Sequence, residues 1–318
     1  MPRLGEAEVE AYLEAGRIAE RVLREGLERI REGAKLIDIC EYVESRIRGL
    51  GGEPAFPCNI SINEVAAHYT PLIGDEARVP RSAVVKLDVG VHINGYIADT
   101  AATVDLSGSW GSLLEAARAA LEAAIRRVAP GAPFAEVGRV IEAEIRGRGF
   151  KPIANLSGHS LGRYLVHAGE SIPNIYEPSI RGAFEAGKAY AIEPFATSGA
   201  GYVVEGELVT IYSLRPEGKP RRLPPRERRL VAHIASRFRT LPFTERWLDP
   251  SEWGGVAQLR MMLRKLKALG VLQDYPVLVE AAGGVVAQFE HTVLVLEDRV
   301  IVTTAGGREL EVEGSSEG

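Results

Sequence analysis

Apolar residues recur at helical spacing from about Glu6 to Ile30, with Val9, Leu13, Val22, Leu27 and Ile30 near one stripe, which predicts an amphipathic opening helix. A second helix is predicted over Leu36 to Arg48. Ser112 followed by Glu115 has the form of a capping box, and the helix it would open is predicted to end at Pro130-Gly131, where a backbone donor is lost. Another helix fits Ala135 to Arg148. Between these lie two apolar runs, Val84 to Ile93 and Tyr96 to Thr100, joined by Asn94-Gly95, the strongest short hairpin signal.

The pattern repeats. Gly33-Ala34 and Ile47-Arg48-Gly49 with Gly51 and Pro54 recur at one constant offset as Gly131-Ala132, Ile145-Arg146-Gly147, Gly149 and Pro152. Asp38 with Glu136, Ile39 with Val137 and Val43 with Ile141 fill the interval. The strands echo as well, Leu87-Asp88 with Gly95-Tyr96-Ile97 resembling Ile192-Glu193 with Gly201-Tyr202-Val203. Such self-similarity predicts an α/β (α+β) fold of two duplicated halves around a pseudo-twofold axis, with acidic side chains from both entering the cleft between them.

From Glu205 to Tyr275 the duplication stops. A proline-rich stretch, Pro216 to Pro225, precedes helical patterns at Arg226 to Phe238 and Val256 to Leu269, and strand-like sequence resumes at Val285 to Leu296 and Val300 to Thr303. Residues 205–275 therefore read as an inserted, helical, winged-helix-like subdomain, and residues 1–204 with 276–318 as the main domain. Gly314 to Gly318 is expected to be a loose tail.

Composition narrows the classes. With 318 residues, 46% hydrophobic and 25% charged, the chain can bury a sizeable core, and a net charge of -5 disfavours a general coat for nucleic acid or anionic membrane. Cys40 and Cys58 are too few for a disulfide framework. The start lacks the apolar core of a secretion signal and no later stretch has about 20 uninterrupted apolar residues, so a cytoplasmic location is expected.

The chemistry gathers on the predicted hairpin. If Asn94-Gly95 is its two-residue loop, Ile93 pairs with Tyr96 and Gly90 with Asp99, and Asp88 shares a face with Asp99 at a diagonal spacing of about 7–8 Å between Cα atoms. Their carboxylates can converge on cations about 3.5–4 Å apart. Surface aspartates on a solvated hairpin are the plain alternative, disfavoured by the apolar strands around them. Asn155-Leu156-Ser157-Gly158-His159, Ala191-Ile192-Glu193-Pro194-Phe195 and Ala287-Gln288-Phe289-Glu290-His291-Thr292 add an imidazole and two carboxylates in similar settings. Each alone is more often structural. Taken together, Asp88, Asp99, His159, Glu193 and Glu290 offer an oxygen-rich set suited to two divalent transition ions such as Co, Mn, Fe or Zn, but spacing alone does not assemble them.

The strings Lys86-Leu87-Asp88-Val89-Gly90, Ile97-Ala98-Asp99-Thr100, Ser157-Gly158-His159, Ala191-Ile192-Glu193-Pro194-Phe195 and Gln288-Phe289-Glu290-His291-Thr292 resemble the five metal-ligand motifs of the methionine aminopeptidases. Phe56-Pro57-Cys58-Asn59 through His68 resembles that family's substrate-side segment, and the long insertion before Glu290 resembles type II members. The likeness runs from the first helix to about Thr304. It implies the pita-bread fold, with Asp88 on one ion, His159 and Glu193 on the other, and Asp99 and Glu290 bridging. His291 is expected to point away.

The same resemblance implies removal of the initiator methionine from nascent polypeptides, favouring a small second residue. A water activated by the dinuclear centre would attack the first peptide bond, with Glu193 shuttling its proton, and His167 and His68 hydrogen-bonding the substrate. Phe56, His68 and His167 would line the substrate site. Expected partners are polypeptide N-termini and the ribosome, with no membrane, no specific nucleic acid and a monomeric chain. The rival readings are an X-Pro aminopeptidase or prolidase of the same fold, and a non-catalytic nucleic-acid- or ribosome-binding homologue drawing on the basic run Arg260 to Lys265. Retention of all five ligand types disfavours the second.

Overall fold

The computed structural model describes residues 4–215 and 223–311. The proline-rich stretch up to residue 222 and the expected tail at 314–318 fall outside the described residues.

In the first half, α1 (Glu6–Leu27) and α2 (Leu36–Gly49) cover a sheet made of β1 (Glu53–Pro54), β2 (Asn59–Ile62), β4 (Val84–Ile93) and β5 (Tyr96–Asp105), while β3 (Val65–Ala67) leaves it to pair elsewhere. Ile18, Val22, Val43 and Ile47 of the helices bury against Leu87, Val89 and Val91 of β4. The opening helix stops three residues short of the prediction. After Leu27 the chain tightens into i→i+3 turns, Arg29 N–H donating to Gly26 O and Ile30 N–H to Leu27 O, so Ile30 reaches the core from a turn.

The second half repeats the plan with α3 (Gly111–Ile125), α4 (Phe134–Gly147), β6 (Lys151–Pro152), β7 (Ser157–Leu161), β8 (Ser171–Pro173), β9 (Lys188–Ile192) and β10 (Phe195–Thr197). Helix α4 and strand β6 follow at the same offset from α2 and β1 that the sequence repeat shows. The predicted capping box at Ser112 and Glu115 does not form: Ser112 lies inside α3, and Asp105 Oδ2 instead accepts from Trp110 N–H at 2.7 Å at the helix entrance. The helix also ends at Ile125, well before Pro130, because the chain passes into the i→i+3 bonds Arg127→Ala124 and Val128→Ile125.

Next come β11 (Val203–Leu214), α5 (Pro225–Phe238), α6 (Val256–Ala268), β12 (Leu272–Glu280), β13 (Val286–Gln288), β14 (His291–Val295), β15 (Arg299–Val302) and β16 (Arg308–Glu311). Helices α5 and α6 bury Leu230, Ile234, Leu259 and Leu263 in a cluster of their own with Phe243 and Trp253. The predicted insertion boundaries fall within β11 and β12, which pair along their length and join β3 of the first half.

One strand echo leads to a different topology. Gly201-Tyr202-Val203 enters β11, but β11 does not return to β9 as β5 returns to β4. Val203 exchanges backbone hydrogen bonds with the Asn155 side chain, at 2.9 and 2.8 Å, while its strand pairs with β12. Strand β9 lies between β7 and β14, the latter arriving after the insertion, in the sheet β16-β15-β14-β9-β7-β8. No helix among the described residues is long and apolar enough to cross a membrane.

Candidate metal centre

The hairpin takes the predicted register. Asn94 (φ 53°) and Gly95 (φ 92°) both have positive φ, as a type I′ turn requires, and Ile93 pairs with Tyr96 and Gly90 with Asp99. Asp88, paired with Ala101, is thus the diagonal neighbour of Asp99. Gly90 has a steric reason: a Cβ there would lie 2.2 Å from Cε1 of Phe56, whose ring rests against the strand.

The two halves meet at this hairpin. Ala101 and Glu290 form a bridge, Glu290 N–H donating to Ala101 O at 2.9 Å. Thr100 Oγ1 donates to Glu290 O at 2.8 Å, Thr103 Oγ1 to Gln288 O at 2.6 Å, and Thr292 Oγ1 accepts from Asp99 N–H at 2.7 Å. These bonds fix Glu290, between β13 and β14, beside Asp99. From the other side β7 brings His159, paired with Ala191 of β9, and Glu193 follows directly on β9. Gly158 permits this approach, since a Cβ on it would stand 2.3 Å from Ala191 O.

All five predicted ligand residues therefore line one narrow cavity of about 70 Å³. Ligand atoms of Asp99, His159 and Glu290 lie within 4.8 Å of one another. His159 Nε2 is 3.4 Å from Glu193 Oε1 and 3.8 Å from Asp99 Oδ2. Gln288 Nε2 spans Glu193 and Glu290, at 3.5 and 3.4 Å. Larger surface hollows, of about 690 and 710 Å³, lie elsewhere and bring no such set together.

Electrostatics favours a cation here. Burial pushes the Asp88 carboxyl up to about 7, and burial followed by neighbouring carboxylates pushes Asp99, Glu193 and Glu290 well above the usual range. Burial, and then His167, holds His159 well below its ordinary value, so its imidazole is neutral and able to ligate. Asp88 Oδ1, Asp99 Oδ1 and His159 Nδ1 are buried with no hydrogen-bond partner. Lys86, buried on β4, directs its ammonium to the carbonyls of Asn63 and Val286 at 3.0 Å each. Four crowded carboxylates, two of them with an orphaned oxygen, and one neutral imidazole are what divalent cations compensate. His291 turns elsewhere, Nδ1 lying 2.9 Å from Thr304 Oγ1.

The remaining predicted residues form the walls. Phe56, His68 and His167 line the same cavity. His68 is held down to about 4 by burial and then by His167, and its Nδ1 faces Pro276 O at 3.2 Å. A carbonyl only accepts, so Nδ1 carries the proton and Nε2 is left as an acceptor. The His167 ring packs at 4.4 Å from that of His159, and its protein surroundings hold it below its ordinary value although the residue reaches solvent at the mouth.

Asn59, part of the segment expected on the substrate side, lines the cavity, whereas sequence reasoning missed Val166, Ile211, Pro242 and Tyr275 on the walls, and the place of Gln288 between the carboxylates. Gln288 was accessible, since it lies two residues before Glu290 in a strand-like run. Tyr275, which stacks at 6.1 Å from His167 and lies edge-on 5.7 Å from His68, had no local signal.

The duplicated halves and the acid-rich centre at their joint define a metallopeptidase, and the chain belongs to metallopeptidase family M24, whose pattern matches residues 10–297. Among its relatives is the methionine aminopeptidase of Saccharolobus solfataricus, 50% identical over 300 residues that span 94% of this chain and 98% of that one. The methionine aminopeptidase of Thermotoga maritima shares the pita-bread fold, with TM-score 0.69 and 23% identity over 96% of this chain and 99% of that one. A thermophilic Arx1 superposes with TM-score 0.83 at 17% identity, over 98% of this chain and 96% of that one, a likeness of fold alone.

Proposed function

We propose that this chain is a metal-dependent aminopeptidase that removes the initiator methionine from nascent polypeptides, with a preference for a small second residue. The carrying observation is the set Asp88, Asp99, His159, Glu193 and Glu290, of which Asp99, His159 and Glu290 are buried and Asp88 and Glu193 half-buried, opening onto a narrow cavity walled by Phe56, Val166, Ile211 and Pro242. Near 50% identity to a methionine aminopeptidase along almost the whole chain supports the same reading.

In this reading the five residues would hold two divalent ions, drawn from Co, Mn, Fe or Zn, with Asp88 assigned to one, His159 and Glu193 to the other, and Asp99 and Glu290 available to both. Bound ions would supply Lewis acidity and lower the pKa of water near neutrality. The chain supplies the rest. Glu193, which lies beside His159 and within reach of Gln288, would take up and return the proton. Neutral His68 accepts a hydrogen bond through Nε2 from a substrate N–H, and His167 at the mouth donates to the scissile carbonyl as charge develops. The apolar walls receive an unbranched thioether side chain and exclude water from it.

The proposal extends to residues 205–275 as an inserted subdomain of winged-helix-like form, to a monomeric cytoplasmic enzyme, and to action on chains leaving the ribosome. Incubation with a divalent ion and peptides beginning Met-Ala, Met-Gly, Met-Lys, N-acetyl-Met and X-Pro, followed by mass spectrometry, tests it. The first two should lose methionine efficiently and the others poorly. Equal rates across the methionine series, or preferred cleavage of the X-Pro peptide, would reject it.

A further inference from the structure

A second concavity, of about 350 Å³, lies beyond Pro242, which lines both it and the catalytic cavity. Separate segments build it: the end of α2 with Arg48, the tip of β4 with His92, the connection after β7 with Tyr164 facing His92, the end of α5 with Arg237 and Arg239, and Trp247 beyond it. The arginines are exposed, and the one acidic lining residue, Glu53, is 3.3 Å from Arg48. Among the described residues, Arg237 and Arg239 have no carboxylate within ion-pair reach, so on this wall of the groove their charge is not offset by a neighbouring acid.

Aromatic rings accompany these cations. The Arg239 guanidinium sits 4.3 Å from the Tyr164 ring centre and that of Arg48 5.6 Å from Trp247, whose Nε1 donates to Glu44 at 2.8 Å and fixes the indole. His92 Nδ1 accepts from Gly95 N–H at 3.2 Å, so in the neutral ring Nε2 carries the proton and is a donor. Arg239 adopts φ 56° and ψ −115°, and Tyr164 φ 58°, backbone that non-glycine residues rarely occupy and that tends to be retained at functional positions.

We propose that this groove binds single-stranded RNA, its phosphates on the arginines and its bases against Tyr164 and Trp247. Guanidinium groups interleaved with flat rings match a chain that alternates phosphates and bases, whereas an acidic peptide offers nothing for the rings to stack on. With a net charge of -5, the chain as a whole would repel RNA, so attraction must come from this patch. Apart from Pro242, the groove's residues are not those of the catalytic cavity, so the groove and the peptidase reading can fail separately.

The test is fluorescence anisotropy of a labelled oligouridylate with the full chain across a salt series. Arg237→Gln should weaken binding and lower the slope of log K against log salt by about 0.7, the signature of one lost single-strand phosphate contact. Arg239→Gly relieves the strained backbone, so it should raise the melting temperature while weakening RNA binding, a pairing of signs that general damage would not produce. Both variants should release methionine at the parent rate. Absence of binding at low salt, binding unchanged by both substitutions, or competition by polyglutamate as strong as by unlabelled RNA of equal charge would overturn the proposal.

Discussion

Glu44 on α2 and Arg246 beyond α5 form a two-pronged ion pair, Nη1 to Oε2 at 2.8 Å and Nη2 to Oε1 at 2.7 Å, with both side chains almost fully buried. Trp247 Nε1 donates to the same carboxylate, Cys58 N–H reaches it at 3.2 Å, and Arg246 also bonds Pro71 O and Thr70 Oγ1. The pair therefore ties the segment after α5 to the first half, beside the stretch that carries Phe56 and Asn59. Removing one partner leaves a buried charge uncompensated. Glu44→Ala is expected to cost about 3–5 kcal/mol in urea unfolding. A loss under about 1 kcal/mol would show that water reaches the guanidinium.

The proposed sharing of Asp99 and Glu290 between two ions predicts a composition change. Asp99→Asn and Glu290→Gln each remove a charge from the centre of the cluster, so both should lower total bound metal by plasma emission analysis. Undiminished metal in both variants would mean that the shared ligands were assigned wrongly.

His159 and His167 lie 4.4 Å apart yet should fail differently. His159→Ala removes a proposed ligand and should lower metal content. His167→Ala should keep its metal and melting temperature while kcat falls on the order of 10²–10³, the usual loss for one preorganised donor to a developing oxyanion. A normal kcat with a lowered melting temperature would return His167 to a packing role.

Glu25 gives a pH dependence remote from the centre. Hydrogen bonds from Arg46, then Arg21, with Tyr42 contributing less, hold its carboxyl down to about 2. A depressed folded-state pKa stabilises above the unfolded value and is lost as pH falls through the folded one. The stability gap between the parent and Glu25→Gln should therefore be full at pH 6, shrink below about 4.5 and vanish near 2. Because its partners are partly exposed, about 1 kcal/mol is expected, read from urea midpoints. A gap independent of pH would contradict the assignment.

Much of this was legible because it is local. Asn94-Gly95 sets the hairpin register and with it the placing of Asp88 and Asp99 on one face, and the repeat shows that α4 copies α2. What stayed hidden depends on contacts between segments far apart in sequence. The pairing of Tyr275 with Ile211 is made across the insertion, and periodicity carries no record of which strand returns beside β9. Likewise, Ser112 matched a capping pattern, but Asp105 reaches the helix entrance through a turn that the pattern does not consider. The five ligand types were read from motif resemblance, and their spatial convergence needed the fold.

The most direct test is the rate at which a Met-Ala peptide loses its methionine as verified metal-free enzyme is titrated with Mn or Co. The account predicts no turnover without metal and a rise to a plateau as the divalent ion binds. Full turnover by the metal-free protein, or metal-loaded protein that leaves the Met-Ala peptide intact, would contradict it.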